Sequence, residues 1–207
     1  MIAHAILAAK ESALFGHVLV STDDQEISEI SREWGAETPF MRPPELADDH
    51  TPTVPVIAHA IGECLSFGWE VEQACCIYPG SPFIRIDDLL KAYDLMIESG
   101  AAYSFPVTTF SSAIQRALRR LDNGHMQSFY PEYEMTRTQD LEPAYHDAGQ
   151  FYWGNTNAWL SGTKVHSNGV GFPIPNWRVV DIDNLDDWKR AELIYKTLVE
   201  EGNTLIP

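Results

Sequence analysis

Basic residues are scarce in this sequence. Its 207 residues include 14 lysines and arginines against 30 aspartates and glutamates, which gives a net charge of −16 at pH 7. Nucleic-acid binding needs a basic face that neutralises phosphates, so this balance excludes nucleic acid as the expected partner. No apolar run approaches the ~18 residues of a membrane-spanning helix, and no signal-peptide pattern opens the sequence. We therefore predict a cytoplasmic protein that binds neither nucleic acid nor membranes.

Cysteine is also sparse, and its spacing indicates no metal site. Cys64, Cys75 and Cys76 form no CxxC pair and no Cys/His cluster of the kind that binds zinc. Cys75 and Cys76 are adjacent in the apolar stretch "ACCIY", which predicts a buried strand. Reduced thiols in a protein core agree with a cytoplasmic location.

Apolar strand-like stretches and amphipathic helical stretches alternate along most of the chain. The predicted strands are 17–22, 74–79, 102–107, 150–154 and 179–183, and the predicted helices are 2–13, 23–35, 54–66, 86–100, about 155–160 and 187–200. This alternation is typical of an α/β fold on a mostly parallel sheet. The length suits one sizeable core, so we predict a single domain, 1–207. Between 108 and 150 the sequence turns polar and aromatic-rich, which predicts an excursion from the sheet.

Four aspartates lie within the stretch "VVDIDNLDDW" (179–188). Side chains alternate along a strand, so Asp181 and Asp183 are expected on one face, where two carboxylates need a cation or a proton. Asp186 and Asp187 open a helix, where acidic residues suit the helix dipole. A pair of carboxylates is a typical protein contribution to a Mg²⁺ site, which water and substrate phosphates complete. We therefore predict a Mg²⁺ site at Asp181 and Asp183 only.

Polar turns follow the predicted strands, and in doubly wound sheets such ends form the ligand site. They are "STDD" (21–24), "YPGSPFIR" (78–85), "PVTTF" (106–110) and "DIDN" (181–184). Together with the aspartate pair, their expected convergence at one edge indicates phosphate chemistry.

Five ordered motifs carry a resemblance to a known family. They are residues 17–53, "YPGSPFIRIDDL" (78–89), "IQRAL" (114–118), "YHDAGQFYWG" (145–154) and "VVDIDNLDDW" (179–188). In this pattern the chain resembles the acylneuraminate cytidylyltransferases, and within them those that act on pseudaminic acid. The resemblance implies a Rossmann-like nucleotidyltransferase fold and transfer of CMP from CTP to a nonulosonic sugar acid, with Mg²⁺ and release of pyrophosphate. It also implies a homodimer, with 108–150 as the protruding dimerisation arm.

The resemblance assigns roles to single residues. Asp181 and Asp183 match the metal-binding, catalytic pair. The nucleotide-binding residues that it implies are Arg42, Thr51 and Thr53, and the substrate-binding residues are Tyr78, Arg116, Arg137, His146 and Gln150. Plain structural roles are alternatives: a surface ion pair with Glu45 or Asp48 for Arg42, a solvated basic face with Arg119 and Arg120 for Arg116, a dimer contact for Arg137, and a hydrogen-bonded pair with Asp147 for His146. His4, His59 and His166 are assigned no chemistry.

The sequence departs from the family at its start. Relatives open with a strand and a Gly-rich basic loop that surrounds the CTP phosphates, whereas "MIAHAILAAK" matches the helix that follows that loop. The family's sheet places that strand centrally, between the strands that match 17–22 and 74–79. We therefore expect the 207-residue chain by itself to transfer no CMP. A non-catalytic nucleotide-sugar-binding or interaction relative is the alternative to an enzyme.

Overall fold

The computed structural model describes residues 1–200. The helices are α1 (Ile2–Glu11), α2 (Gln25–Glu33), α3 (Thr53–Ser66), α4 (Ile86–Ser99), α5 (Thr156–Leu160) and α6 (Leu185–Glu200). The strands are β1 (Gln73–Ile77), β2 (Tyr103–Thr109), β3 (Leu118–Arg120), β4 (Met126–Ser128), β5 (Tyr145–Asp147), β6 (Phe151–Asn155) and β7 (Gly169–Pro173). None of the helices in this range has the length and apolar character needed to cross a bilayer.

Local signals determine the helix boundaries, and all six predicted helices are confirmed to within a few residues. Asp24 caps α2, because its Oδ1 accepts a hydrogen bond from the Ile27 amide at 2.9 Å. Gly100 ends α4 in the left-handed region, with φ 67°, which a residue with a Cβ rarely adopts. The apolar side of α2 is less buried than its spacing predicts, because Ile27 and Trp34 are exposed.

The prediction of a mostly parallel sheet is wrong. The strands pair in the order β1–β6–β2–β5, and each of these ladders is antiparallel. Only β7, on the other edge of β2, pairs in parallel. The reason is the path of the chain: β6 returns from the 108–150 excursion in the opposite direction and inserts between β1 and β2. Those two strands run parallel to each other, as the alternation with α4 predicted, but they are not neighbours.

Two predicted strands do not form ladders, and four strands were not predicted. Residues 17–22 make a single parallel bridge, Leu19 to Glu37. Residues 179–183 are outside every strand of the described chain, although their exposure alternates as a strand's would. Three of these, β3, β4 and β5, lie within the 108–150 excursion. The fourth is β7, "GVGFP", whose glycines and proline are disfavoured in strands.

Helices cover both faces of the main sheet. On one face, Phe151 and Trp153 pack with Leu89 and Met96 of α4. On the other, Tyr152 packs with Trp159 of α5. A third cluster, formed by Phe83, Val180, Ala191 and Leu198, attaches α6 to the segment that carries Asp181 and Asp183.

The 108–150 excursion forms a small structure of its own. Strands β3 and β4 pair only with each other, as a two-stranded hairpin, before β5 rejoins the main sheet. Several large apolar side chains here are exposed: Leu118 at 55%, Met126 at 55%, Phe129 at 49% and Met135 at 94%. The excursion from the main sheet is therefore confirmed for the residues between β2 and β5, and we refer to 108–150 as the arm.

Candidate functional site

A deep groove separates residues 17–22 from β1. Its volume is about 930 Å³, and α1 and α3 contribute part of the remaining wall. Val18 and Val20 direct main-chain groups to Glu37, with hydrogen bonds of 2.8 and 2.9 Å. Main-chain groups alternate in direction along extended chain, so those of Leu19 and Ser21 point the other way. Neither residue makes a main-chain hydrogen bond within the described part of the chain.

The groove contains all three predicted nucleotide-binding residues and Tyr78. The Arg42 amide donates to the Thr22 carbonyl at 2.8 Å, which fixes the loop against the end of the 17–22 segment. The Arg42 guanidinium has one contact, from Nη2 to Asp23 Oδ1 at 3.5 Å, and its Nε is buried without a partner among residues 1–200. The alternative ion pair with Glu45 or Asp48 is therefore not formed, and the guanidinium is available to an anion in the groove.

Hydrogen bonds hold the two threonines in place. The Thr51 hydroxyl and amide donate to Asp48 Oδ1, each at 2.7 Å, and the His50 amide donates at 2.9 Å. These bonds, the Thr51 hydroxyl foremost, lower the pKa of Asp48. Thr53 Oγ1 lies 2.5 Å from the Tyr78 hydroxyl. Burial raises the pKa of Tyr78, so its phenol is protonated and able to donate at neutral pH.

A second, smaller cavity adjoins the groove. It measures about 360 Å³, and Thr53 and Tyr78 line both spaces. Its other polar lining residues are Tyr152, Lys164, His166 and Ser167, and the first three are titratable. Sequence reasoning gave none of these three a role. Tyr152 lies in the motif 145–154, whereas Lys164 and His166 lie in 161–168, which carries no family motif and reaches the cavity only because β7 lies beside β2.

Asp147 organises one wall of the smaller cavity. Its Oδ2 lies 2.5 Å from His166 Nε2 and accepts a hydrogen bond from the Tyr152 hydroxyl at 2.8 Å. Its Oδ1 accepts from the Gly149 amide at 2.8 Å. Burial, with the charge of Asp147 second, raises the pKa of Tyr152 far above its ordinary value. Tyr152 is therefore a fixed donor, and Asp147 holds both it and the His166 ring.

The four aspartates near α6 separate into two groups. Asn184 and Asp187 form a capping box: the Asp187 amide donates to Asn184 Oδ1 at 3.1 Å, and the Asn184 amide donates back to Asp187 Oδ2 at 3.2 Å. Asp181 and Asp183 are exposed, and their carboxylates make no hydrogen bond or ion pair within residues 1–200. Two free, outward-facing carboxylates fit the donor set of Mg²⁺, which keeps most positions for water and phosphate. The described residues contain no cluster of three or more acidic, histidine or cysteine ligands.

The other four predicted substrate residues all lie in the arm: Arg116 and Arg137 outside the main sheet, His146 in β5, and Gln150 directly before β6. Arg116 donates to the carbonyls of Glu134 and Thr136. Arg137 makes a bidentate pair with Asp140, at 2.8 and 3.2 Å. Neither arginine lines the groove or the smaller cavity.

His146 and Gln150 also have partners of their own. The His146 ring packs against Phe110, and its Nδ1 lies 2.8 Å from the Asp147 carbonyl oxygen. Gln150 is buried; its carbonyl accepts from the Tyr78 amide at 2.9 Å, and its side-chain amide donates to the Arg178 carbonyl at 2.8 Å. Gln150 thus connects Tyr78, which lines both cavities, to the segment that carries Asp181. Asp181 itself lines neither cavity.

Solved structures with low sequence similarity share this architecture. CMP:2-keto-3-deoxy-manno-octonic acid synthetase complexed with CTP superposes with a TM-score of 0.64 at 14% identity, covering 94% of this chain and 88% of that one. A 4-diphosphocytidyl-2C-methyl-D-erythritol synthase gives a TM-score of 0.62 at 9% identity, covering 93% and 89%. At these identities the likeness establishes the α/β nucleotidyltransferase fold alone.

Sequence comparison is more specific. A pseudaminic acid cytidylyltransferase of Campylobacter jejuni is 36% identical over 199 residues, which are 95% of this chain and 85% of that protein. An N-acylneuraminate cytidylyltransferase of Escherichia coli is 28% identical over 195 residues, 92% of this chain and 45% of that protein. Residues 1–150 match the protein family described as Cytidylyltransferase. The chain belongs to the cytidylyltransferase family.

Proposed function

We propose that this protein transfers CMP from CTP to a nonulosonic sugar acid, pseudaminic acid, with release of pyrophosphate. The observation that carries the proposal is the junction of two cavities at Thr53 and Tyr78, which line both. A transferase that joins a nucleotide to a sugar must hold both substrates in contact, and most of its rate enhancement comes from that positioning. The similarity to pseudaminic acid cytidylyltransferases over nearly the whole chain supports this choice of substrate.

In this proposal CTP lies in the groove. Arg42 has an unpaired, buried Nε and one long contact with Asp23, so its guanidinium is free to bind a phosphate. Thr51 and Thr53 lie beside it, and their hydroxyls are already oriented by Asp48 and Tyr78. Preorganised groups of this kind cost little reorganisation when the nucleotide binds.

The sugar acid lies in the smaller cavity. Tyr152 donates its hydroxyl proton to Asp147, so its oxygen is oriented to accept a hydrogen bond from the sugar, and His166 is held by Asp147 on one side of the same space. Lys164 supplies a cation at the cavity wall, which suits the carboxylate of the sugar acid. The anomeric hydroxyl of the sugar then faces Tyr78 and the nucleotide. It attacks the α-phosphorus of CTP in line with the departing pyrophosphate.

Asp181 and Asp183 would hold Mg²⁺, because both are free of protein partners and face outward. Bound there, the ion would neutralise phosphate charge and lower the pKa of a coordinated hydroxyl. The protein's own contribution is to keep the two carboxylates unpaired while Asn184 and Asp187 fix the start of α6 next to them.

We further propose a cytoplasmic homodimer formed through the arm. Leu118, Phe129 and Met135 expose large apolar side chains on the arm, as an interface would and a purely solvated loop would not. Arg116 and Arg137, which line neither cavity of their own chain, would then face the site of the neighbouring subunit. Three free cysteines suit the reducing cytoplasm.

The test is pyrophosphate release from CTP and Mg²⁺ with pseudaminic acid, compared with N-acetylneuraminic acid. It uses the 207-residue chain and a fusion that adds the N-terminal strand and basic loop of a related cytidylyltransferase. We expect the fusion to turn over with pseudaminic acid and to lose turnover when Asp181 is replaced by Asn. A fusion that binds CTP but transfers CMP to no sugar acid would contradict the proposed function and favour a binding protein.

A further inference from the structure

Arg178 is a buried arginine three residues before Asp181. Its side chain is 5% exposed, and that of its ion-pair partner Asp88 is 7% exposed. Charged side chains are seldom this buried. The pair lies outside the groove and the smaller cavity, so it does not belong to the substrate-binding residues described above.

Arg178 connects three parts of the structure. Its Nη2 donates to the carboxylate of Asp88, in the first turn of α4, and to the carbonyl of Phe83 at 3.2 Å. Its own carbonyl accepts the Gln150 side-chain amide at 2.8 Å. Both the side chain and the main chain of Arg178 are therefore attached to neighbouring segments.

The residues that follow Arg178 have few other restraints. Val180, Asp181 and Ile182 make no main-chain hydrogen bond to any residue within 1–200. Only the packing of Val180 and Ile182 in the third core cluster holds them from one side. At the other end of the segment, the Asp183 amide donates to Asp187 Oδ2 at 3.3 Å. The position of the Asp181 carboxylate, and with it the separation of the two carboxylates, therefore depends on where Arg178 fixes the start of this segment.

We propose that Arg178, held by Asp88 and Gln150, is a positioning residue for the metal-binding carboxylates Asp181 and Asp183. This inference rests on the proposed function, because it takes the aspartate pair as a metal site. Groups that orient metal ligands without touching the metal strongly affect metal affinity. Gln150 also bonds to Tyr78, so the same attachment sets the distance between the metal segment and the junction of the two cavities.

A purely stabilising role is the competing explanation. A buried ion pair is replaceable by apolar residues of similar volume with little or no loss of stability. A double replacement therefore separates the two roles: Asp88→Leu with Arg178→Met removes both charges together and leaves no unpaired charge in the core. Arg85→Met is the matched control. Arg85 contacts the same segment through the ring of Trp177, whose centroid lies 6.0 Å from Arg85 Cζ, and not through a buried ion pair.

The experiment is a Mn²⁺ titration of the 207-residue chain, followed by paramagnetic broadening of the amide NMR signals of residues 181–184, with thermal unfolding in parallel. We expect Mn²⁺ to broaden these signals first, and the half-saturating concentration to rise on the order of tenfold in the double variant. The unfolding midpoint of the double variant should stay close to that of the unchanged chain, and Arg85→Met should leave Mn²⁺ binding unaltered. The single variant Arg178→Lys should keep part of the Mn²⁺ affinity that the double variant loses, because lysine keeps the positive charge beside Asp88 but lacks the planar guanidinium.

Two results would overturn the inference, and they differ in what else they affect. If the unchanged chain binds Mn²⁺ at residues 181–184 and the double variant binds it equally well, Arg178 has no positioning role and the proposed metal site stands. If Mn²⁺ fails to broaden these signals in the unchanged chain, the proposed metal site itself is wrong and the inference falls with it.

Discussion

The separation of the four aspartates gives a sharp test, because replacing each by Asn makes the same chemical change within seven residues. Asp183→Asn removes one of the two carboxylates proposed to hold the metal, neither of which has a protein partner within residues 1–200. We expect Mn²⁺ affinity to fall by at least about 100-fold, since changes outside the ligand shell alone cost about 10–100-fold. In a chain competent for CMP transfer, metal-dependent turnover should be abolished.

Asp187→Asn should behave differently. The amide oxygen can still accept from the Asn184 amide, which now lies 3.2 Å from Asp187 Oδ2. What is lost is a negative charge at the start of α6, worth about 0.3–1 kcal/mol. For a chain of this length the unfolding midpoint should fall by no more than about 4 °C, with Mn²⁺ affinity nearly unchanged.

Asp186→Asn is the control for charge alone, because the Asp186 side chain makes no hydrogen bond within the described residues. Metal affinity is measured by the broadening of the amide signals, and stability by circular dichroism. Equal losses of affinity from Asp183→Asn and Asp187→Asn would refute the assignment of the metal site to the first pair.

Two further predictions concern the arm and the smaller cavity. Leu118→Glu should convert a dimer to a monomer in sedimentation at micromolar concentration, whereas Leu193→Glu, equally exposed on α6, should not; a monomeric unchanged chain would contradict the proposed dimer. Tyr152→Phe should weaken calorimetric binding of the sugar acid by about five- to tenfold, through loss of one hydrogen bond worth about 1 kcal/mol. Tyr103→Phe, which loses a 2.9 Å bond to the Thr163 carbonyl, is its control; equal binding by both variants would remove Tyr152 from the sugar site.

The helices were predictable because their signals are local. The Asp24 cap, the Gly100 stop and the apolar spacing of α4 act over a few residues and are visible in the sequence. Strand direction is different, because it depends on the path of the chain between strands. Nothing in the residues of β6 indicates that it inserts between β1 and β2 in the opposite direction.

The candidate site divides in the same way. The proposed metal role of Asp181 and Asp183 follows from their spacing alone, and the capping role of Asp187 follows from its position in the first turn of α6. His166 has no such signal: it gains a role only when the loop before β7 meets Asp147, 19 residues earlier in the chain. Residues joined by tertiary contacts alone are the ones that sequence reasoning missed.

The groove beside β1 leads to the last prediction. It lies between the outer edge of β1 and the 17–22 segment, where Leu19 and Ser21 have unbonded main-chain groups. Ile27 lines the same groove and is 42% exposed. An added strand of suitable length would find hydrogen-bond partners on both sides and apolar side chains to cover. We expect an N-terminal extension of about 20 residues, enough for a strand of typical length and a loop, to fill it.

The two parts of the extension should have separable effects. A strand alone should raise the unfolding midpoint, because it pairs open main-chain groups, but it should not bring CTP binding to a chain with a net charge of −16. A strand followed by a Gly-rich basic loop should also bring CTP binding and Mg²⁺-dependent pyrophosphate release, because each preorganised donor to phosphate contributes on the order of 3 kcal/mol. The 207-residue chain should show no measurable transfer in the same assay. If it turns over as fast as the chain with strand and loop, other residues of this sequence must hold the triphosphate. Arg42, Thr51 and Thr53 would then be the first residues to test by substitution.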